Sequence, residues 1–359
     1  MITVKFFGSI RNWAEEKAIK IDKKNLKFRK LLNLVYDKVD DEFREKIEDD
    51  KGIKDFVIIS VDGKNLESIN NLETELEGDE EIRFAPSVAG GEFSFSERQI
   101  KRYSRHIVLS ELGGEGQEKL LNSSVLVVGA GALASPVLLY LAAAGVGEIG
   151  IVDNDEVELS NLQRQIIHST EDVGANKTES AKETIEAINQ DVEVKTFRKR
   201  LEPQNARELI EGWDFVIDGS DNFPTKFLVN DASHLVGVPF SHAGILRFSG
   251  LTTTFLPDEG PCYRCLTPQP PSKDSVPSCQ EAGVVGAFPG VIGSIQALEA
   301  IKHIIGSGDL LVGRALQFDA LHMSFDEMKF SRNPDCPVCE GKLQELEEID
   351  YKGSCRVKF

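Results

Sequence analysis

A glycine-rich turn followed by an acidic residue is the first feature of the chain that points to chemistry. The turn reads Gly129-Ala-Gly131-Ala-Leu-Ala134, a G-x-G-x-x-A variant between a predicted strand and a predicted helix. Its glycines would let the backbone approach a phosphate at the helix N-terminus. Asp153 ends the next predicted strand, where a carboxylate can accept hydrogen bonds from ribose hydroxyls. The two features predict a nucleotide site, with a nicotinamide-dependent oxidoreductase and a tight turn without ligand as the alternatives at this point.

Polar residues farther along the chain decide between these alternatives. They are Asp155, Asn161, Arg164, Gln165, Lys177 and Asp221. Because the carboxyl ends of neighbouring strands meet at one crevice in a doubly wound sheet, Arg164 and Lys177 are expected to converge on a triphosphate. Asp153 would then hold ribose, and Asp155 or Asp221 a magnesium ion. Two cations and a metal suit phosphate chemistry, whereas hydride transfer needs neither.

Two C-x-x-C pairs point to a metal site. CYRC contributes Cys262 and Cys265, and CPVC contributes Cys336 and Cys339. Four thiolates can close a tetrahedral site for zinc. We therefore predict a structural zinc, with two unrelated thiol pairs as the alternative.

The composition excludes several classes of protein. The chain has 359 residues, 41% hydrophobic and 28% charged, which suits two or three globular domains. A net charge of −18 argues against nucleic acid or an anionic membrane as the main partner. No apolar run approaches the roughly 20 residues that span a bilayer, and the opening MITVKFFGSI lacks the layout of a signal peptide. We expect a cytoplasmic protein, in which cysteines serve metal binding or catalysis more often than disulfides.

Residues 1–91 have the pattern of a small α+β domain. TVKFF and KAIKI alternate like strands, FVIISVDGK is a strand that enters a turn, and EEIRFAPSVAGG is a last strand. FRKLLNLVYDKV has one apolar helical face, formed by Leu31, Leu34, Val35 and Val39. This order of elements predicts a β-grasp (ubiquitin-like) fold.

After a short linker, 92–96, residues 97–345 alternate between strands and helices. SVLVVGAGALASPVLLYLAAAGVGEIGIVDND is strand, turn, helix and strand, a βαβ unit. TESAKETIEAIN, NARELIEG and FPTKFLVNDASHLVG follow as helices, with VEVKTF and DFVIDGS as strands between them and LTTTFLP as an antiparallel-type strand. The segment predicts a doubly wound, Rossmann-like α/β domain extended by extra strands. Residues 346–359 form a polar tail.

The second domain closely resembles the MoeB/ThiF/HesA family, the bacterial and archaeal branch of the ubiquitin-activating-type adenylyltransferases. The matching stretches are RYSRHIVL, VLVVGAGALASPVLLYLAAAGVGEIGIVDNDEVELSNLQRQIIH, VGANKTESA, IDGSDNF, CYRC, GVIGSIQALEAIK and NPDCPVC. The first domain resembles sulfur carriers of the MoaD/ThiS type, chiefly through FAPSVAGG. The chain departs from the family at the glycine-rich turn, where Ala132 and Ala134 stand in place of the usual glycines and the methyl group of Ala132 could crowd the phosphates.

The resemblance implies an activity. Family members use ATP to adenylate the C-terminal glycine carboxylate of a β-grasp carrier and release pyrophosphate, and a sulfur donor such as a cysteine desulfurase or rhodanese then attacks the acyl adenylate. The implied cofactors are ATP, Mg²⁺ and a structural Zn²⁺. The implied roles are ribose binding for Asp153, phosphate binding for Arg164 and Lys177, magnesium coordination for Asp221, support of the reacting centre for Asn161 and, for Arg105, insertion into the neighbouring subunit's site of a homodimer.

Other reactive side chains receive no fixed role. Cys279 lies in PPSKDSVPSCQEAG, where related enzymes carry a cysteine that bonds covalently to the carrier, and both a covalent role and none remain open for it. Cys355 has no assigned role. His168, His242 and His303 could each be taken for a base, but an ionised carboxylate needs none to attack ATP.

The di-glycine Gly90-Gly91 stands where a carrier would end, yet here an amide joins it to Glu92. An amide carbonyl lacks the anionic oxygen that must attack the α-phosphate. We favour cleavage after Gly91 by a protease, which would release a carrier together with its own activating enzyme. The alternative is an intact fusion that serves docking or autoinhibition while the enzyme acts on a separate carrier. The mass of the protein from its native cells distinguishes the two.

The carrier-like end FAPSVAGG favours molybdopterin as the final sulfur acceptor. Thiamine, cysteine or tRNA thiolation and protein conjugation are the alternatives within this chemistry. An oxidoreductase would instead bind a nicotinamide cofactor tightly and catalyse no ATP–pyrophosphate exchange.

Overall fold

The computed structural model describes residues 1–49, 52–54, 57–65, 74–86, 95–257, 259–270, 283–343 and 346. The chain forms two compact units, Met1–Glu118 and Lys119–Phe359, and each is described by itself. The predicted boundary at Gly91 and nearly all of the predicted tail lie outside the described residues, so the division at that point stays a prediction.

The first unit is built on a mixed five-stranded sheet of order β2-β1-β9-β6-β7. β1 pairs antiparallel with β2 and parallel with β9, whose other neighbour, β6, is antiparallel. Its strands are β1 (Ile2–Phe6), β2 (Ala18–Ile21), β3 (Leu26–Lys27), β4 (Glu48–Asp49), β5 (Gly52–Ile53), β6 (Val57–Val61), β7 (Lys64–Asn65), β8 (Glu75–Leu76) and β9 (Glu81–Pro86). Its helices are α1 (Gly8–Ala14), α2 (Phe28–Lys38), α3 (Asp41–Ile47) and α4 (Glu97–Ile107), and α5 (Gly113–Leu121) ends this unit and begins the next.

Helix α2 covers this sheet with an apolar face broader than predicted. Leu31 and Val35 are fully buried, as the pattern indicated, and Leu32 joins them, whereas Leu34 and Val39 are only partly buried. The parallel β1–β9 pair, the antiparallel neighbours and one long covering helix are compatible with a β-grasp fold, which stays a prediction for this unit.

The second unit is an eight-stranded sheet of order β12-β11-β10-β13-β14-β15-β16-β17. The first five of these strands run parallel and the last three add antiparallel pairs. The strands are β10 (Ser124–Val128), β11 (Glu148–Val152), β12 (Glu193–Phe197), β13 (Phe215–Asp218), β14 (Phe240–Leu246), β15 (Ser249–Phe255), β16 (Arg314–Asp319) and β17 (Ser324–Lys329). The helices are α6 (Ala134–Ala144), α7 (Lys177–Ile188), α8 (Pro203–Ile210), α9 (Phe223–Val236), α10 (Tyr263–Leu266) and α11 (Ala287–Ile305).

The predicted Rossmann-like α/β architecture is thereby confirmed, including the antiparallel extension at β15. The central parallel strands are buried on both faces, as expected when helices cover both sides of a sheet. Strand order places the carboxyl ends of β12, β11, β10, β13 and β14 side by side along one edge, where a ligand crevice is expected.

Local sequence signals fix the helices that border this edge. Asn176 caps α7 by accepting a hydrogen bond from Thr178 N, and Asn222 caps α9 by accepting from Thr225 N. Helix α6 ends at Gly145, which has the left-handed conformation that favours glycine. The described part of the chain contains no helix both long and apolar enough to cross a bilayer.

Helix α11 packs directly against the beginning of α6 at a glycine. A Cβ atom added to Gly293 would lie 2.3 Å from the carbonyl oxygen of Leu133 and 2.6 Å from Cγ of Pro136. Leu133 is the residue before α6 and belongs to the glycine-rich turn. The contact therefore ties the position of α11 to that of the turn.

We expect Gly293→Ala to lower the free energy of unfolding by about 1–3 kcal/mol, because its methyl group would overlap backbone atoms that cannot move aside freely. Chemical denaturation measures the effect. Gly290→Ala in the same helix is the matched control, since no described atom beyond its chain neighbours and the adjacent helix backbone lies within 4 Å of its added Cβ. An equal loss of stability in both variants would show that helix contact at Gly293 is not the cause.

Candidate functional site

The carboxyl ends of the five parallel strands surround a cavity of about 420 Å³. All nine residues that the sequence predicted for nucleotide binding line it: Gly129, Gly131, Ala132, Asp153, Asp155, Arg164, Gln165, Lys177 and Asp221. These residues are distant along the chain. Their convergence on one cavity was expected, because the carboxyl ends of neighbouring parallel strands meet at one crevice.

Other predicted residues lie elsewhere. Asn161 is buried in the 3₁₀ turn Leu159–Asn161 and does not line the cavity. Arg105 is an exposed residue of α4 in the first unit. Cys279, Gly90 and Gly91 lie outside the described residues.

The backbone of Ala130 is held through both its N–H and its carbonyl group. Its N–H donates to Asp153 Oδ2 at 2.8 Å, and its carbonyl oxygen lies 2.9 Å from His168 Nε2. Gly129 beside it has φ 100°, a left-handed conformation that favours glycine, and donates its N–H to Val152 O. A Cβ on Gly131 would meet only Gln165 Nε2, at 3.7 Å. Asp153 and His168 thus hold the backbone of the turn in place, while the turn stays open toward the cavity at Gly131.

Asp153 carries two functions in this arrangement. Its Oδ1 accepts a hydrogen bond from Asp155 N at 2.8 Å, while Oδ2 binds the turn. Burial raises the pKa of Asp153, and the two N–H donors and Lys177 offset this only in part. The carboxylate is therefore under-stabilised without ligand, and ribose hydroxyls could supply further donors.

Lys177 and Arg164 are the cations of the cavity that the sequence singled out. Lys177 is buried at the start of α7, and its Nζ lies 3.0 Å from Oδ2 of Asp155, an exposed carboxylate. Arg164 donates from a guanidinium nitrogen to Ser160 O at 3.0 Å. Each cation has donors left over for an anion, since an ammonium carries three and a guanidinium five.

Gln165 has a buried acceptor without a partner. Its side chain lines the cavity, and Oε1 makes no hydrogen bond to any described residue. Leaving such an atom unsatisfied costs about 1–3 kcal/mol. A ligand that brings a hydroxyl or an ordered water to Oε1 would recover this energy, which fits a nucleotide.

A charged cluster that sequence reasoning missed lies at the cavity, where Lys226 and His242 belong to the lining and Asp218 contacts both. Asp218 is fully buried, and its Oδ2 lies 3.3 Å from Lys226 Nζ and 2.8 Å from His242 Nδ1. Burial opposes ionisation of Asp218, but the charge of Lys226 and the hydrogen bond from His242 outweigh it and hold its pKa below the usual range. Parallel pairing sets Asp218 beside His242 in the sheet. A lysine inside the otherwise apolar start of α9 was the available sequence signal.

The four predicted cysteines converge, as the spacing required. Their sulfur atoms lie within 4.8 Å of one another, with Cys262–Cys336 at 3.4 Å and Cys265–Cys339 at 3.5 Å. A tetrahedral zinc with bonds of about 2.3 Å sets sulfur atoms about 3.8 Å apart, so the spacing fits that ion. Burial and the neighbouring thiols raise the pKa of Cys262, which a bound cation would reverse.

The cysteine cluster is connected to the cavity through α10. Tyr263 follows Cys262 and lines the cavity, and its ring lies 4.4 Å from that of His242. Arg264 makes two hydrogen bonds to the carboxylate of Asp231 on α9, at 2.7 and 2.6 Å. A metal in the cluster would therefore hold part of the cavity wall in place.

His168 supports the turn rather than the chemistry. Nδ1 lies 2.8 Å from Ser180 Oγ on α7, and Nε2 reaches the Ala130 carbonyl, so both ring nitrogens are used. Burial, aided by the charge of Lys177, lowers the pKa of His168 and keeps the ring neutral at pH 7. The neutral ring then donates from Nε2–H to the Ala130 carbonyl and accepts from Ser180 at Nδ1.

We expect stability to fall as pH drops below about 6.5, because histidine in the unfolded chain binds a proton there while buried His168 does so only at lower pH. His168→Gln can still donate to the Ala130 carbonyl but does not titrate. The Tm of this variant should therefore decrease less between pH 7.5 and 5.5 than that of wild type. His322→Gln, at an exposed histidine, is the control. Parallel wild-type and His168→Gln pH curves would contradict the assignment.

Comparison with known proteins agrees with this geometry. The model of the ThiF family matches residues 103–338. The SAMP-activating enzyme E1 of Haloferax volcanii is 49% identical over 267 residues, which cover 74% of this chain and 98% of that protein. The sulfur carrier protein adenylyltransferase of Thermus thermophilus is 46% identical over 269 residues, covering 74% and 99%.

A solved structure shares the fold. The crystal structure of E. coli MccB with ATP superposes with a TM-score of 0.60 at 25% identity, covering 67% of this chain and 74% of that one. With the family model spanning most of the second unit, the chain belongs to the ThiF family.

Proposed function

We propose that this enzyme uses ATP to adenylate the C-terminal glycine of a ubiquitin-like sulfur carrier. The single observation that carries the proposal is the convergence of the glycine-rich turn, Asp153, Arg164 and Lys177 on one cavity. Relatives named as a sulfur carrier protein adenylyltransferase and a SAMP-activating enzyme support the same chemistry. An oxidoreductase would leave the two cations without a purpose.

The nucleotide would lie over one half of the strand edge. Phosphates belong at the glycine-rich turn after β10, where Arg164 and Lys177 can reach them, and ribose belongs at Asp153 after β11. Adenine then extends toward β12, past Leu201. Lys177 would exchange its ion pair with Asp155 for a phosphate oxygen.

The carrier tail would occupy the other half. The end of β14 lines the cavity with Gly244, Ile245 and Leu246, joined by Val284. A tail that ends in two glycines is narrow enough to lie between such walls in an extended conformation. Its terminal carboxylate would then face the α-phosphate of ATP.

The reaction needs no proton transfer in its first step. A carboxylate oxygen of the terminal glycine bonds to the α-phosphorus, and the bond from that phosphorus to the bridging oxygen breaks, so pyrophosphate leaves with the electron pair. Arg164 and Lys177 would stabilise the charge on the phosphate oxygens. Magnesium, held by Asp221, would neutralise charge on the leaving pyrophosphate.

The remaining assignments follow the family resemblance. Arg105 would enter the site of a second subunit in a homodimer, and Asn161, buried in the 3₁₀ turn just before Arg164, would help hold the reacting centre. Cleavage after Gly91 would provide a carrier, a separate sulfur donor would attack the adenylate, and molybdopterin remains the favoured acceptor. For Cys279, both a covalent bond to the carrier and no chemical role remain open.

We expect Asp221→Asn to reduce ATP–pyrophosphate exchange by at least about 100-fold, because the carboxylate that would hold magnesium is lost. Exchange is measured with the octapeptide FAPSVAGG, which has a free glycine carboxylate. Asp221 is exposed, so circular dichroism and Tm should not change. Asp326→Asn, at an exposed residue of β17, is the matched control. Full exchange activity in Asp221→Asn would refute the magnesium assignment.

We also expect the purified enzyme to contain stoichiometric zinc, bound by Cys262, Cys265, Cys336 and Cys339. Cys265→Ser should lose the metal and lower the Tm, because a site with one thiolate fewer binds zinc more weakly and the bound metal contributes to folding stability. Elemental analysis measures the zinc. Cys355→Ser, which changes none of the four predicted ligands, should keep wild-type zinc content; retention of zinc by Cys265→Ser would remove this residue from the ligand set.

A further inference from the structure

His242 is a buried side chain in the cavity wall that the adenylation mechanism does not use. It lies on β14 and is only 4% exposed. One ring nitrogen, Nδ1, lies 2.8 Å from Asp218 Oδ2. The other, Nε2, has no hydrogen-bond partner among the described residues.

The surroundings of His242 fix which nitrogen carries the proton. Asp218 is ionised, so it accepts a hydrogen bond, and Nδ1 must be the donor. Burial and the charge of Lys226 lower the pKa of His242, against the opposing effect of Asp218, so the ring stays neutral. In a neutral ring with Nδ1 protonated, Nε2 is an acceptor.

The ring cannot easily turn away from this orientation. Tyr263 on α10 packs against it at 4.4 Å and Phe255 on β15 at 6.4 Å, measured between ring centroids. Lys226 is held independently, because its Nζ also donates to Ser220 O at 2.8 Å and Ala243 O at 2.6 Å. The acceptor is thus preorganised in the wall of the cavity.

Because Nε2 of His242 is an acceptor, the group that binds next to it must donate a hydrogen bond. Phosphate and carboxylate oxygens carry no hydrogen and would meet the Nε2 lone pair unfavourably. The donors of ATP, its amino group and ribose hydroxyls, belong over β12 and β11 in the proposed arrangement. The remaining donor is a main-chain N–H of the carrier tail over β14.

We propose that His242 is a substrate-binding residue whose Nε2 accepts a hydrogen bond from the N–H of the carrier's terminal glycine. This inference rests on the proposed function and deepens it. The bond would hold the last residue so that its carboxylate, two atoms farther along, points toward the α-phosphate. It would also favour a peptide tail over a carboxylic acid that lacks this N–H.

The test compares two substrates in two proteins. The substrates are FAPSVAGG and its depsipeptide analogue, in which glycolate replaces the terminal glycine and an ester oxygen replaces the N–H. The proteins are wild type and His242→Asn, both as the full chain. The asparagine amide can still donate to Asp218, but the shorter side chain offers no acceptor at the position of Nε2.

Wild type should prefer the peptide over the depsipeptide by about 10-fold in kcat/KM for ATP–pyrophosphate exchange, the equivalent of one hydrogen bond. His242→Asn should lose activity with the peptide by a similar factor, discriminate between the two substrates by less than about 3-fold, and keep the KM for ATP. His303→Asn, at a half-buried histidine outside the cavity lining, should behave as wild type.

Undiminished discrimination in His242→Asn would overturn the assignment, as would equal rises of KM for ATP and peptide, which indicate a merely structural residue. Absence of any peptide-dependent exchange in wild type would instead contradict the proposed function itself. The two failures are therefore distinguishable.

Discussion

The whole site depends on how the backbone of Ala130 is anchored. A phosphate can approach the glycine-rich turn only if the turn keeps its backbone open toward the cavity, and an open backbone has few contacts to stabilise it. Asp153 accepts a hydrogen bond from the N–H of Ala130, and His168 donates one to the carbonyl oxygen of the same residue. Because His168 also bonds Ser180 on α7, the same interaction aligns the helix that begins at Lys177 with the turn. The turn after β10 and the start of α7, which are proposed to bind phosphate, are thereby held in a fixed relative position.

The two buried lysines of the cavity differ in what they can do. The ammonium group of Lys226 donates its three hydrogen bonds to the Asp218 carboxylate and to the carbonyl oxygens of Ser220 and Ala243. It is therefore a fixed charge that stabilises the buried carboxylate. Lys177 has one side-chain hydrogen bond among the described residues, to the exposed Asp155. A cation with an exposed partner can transfer to an incoming phosphate at little cost, whereas a saturated one cannot. The contrast supports Lys177, rather than Lys226, as the lysine proposed to bind ATP.

Sequence reasoning succeeded where chemistry follows strand ends. Asp153 and Lys177 are separated along the chain, yet parallel strands and their following helices bring them to one edge, and the predicted cysteine cluster closed across 74 residues. Sequence reasoning failed where strand pairing determines which side chains become neighbours. Nothing in the period of DFVIDGS or PFSHAGIL shows that Asp218 and His242 become neighbours; that results from β14 adding to the sheet beside β13. Asn161 is buried in a 3₁₀ turn and does not line the cavity, so its predicted support of the reacting centre stays a prediction.

In the proposed reaction, a glycine carboxylate attacks the α-phosphate of ATP. To test this, both carboxylate oxygens of FAPSVAGG are labelled with oxygen-18, the peptide is incubated with ATP and the full chain, the product is trapped with hydroxylamine, and the AMP is analysed by mass spectrometry. Hydroxylamine cleaves an acyl adenylate at carbon, so we expect AMP that carries one oxygen-18 atom. Unlabelled AMP, or release of ADP and phosphate in its place, would contradict it.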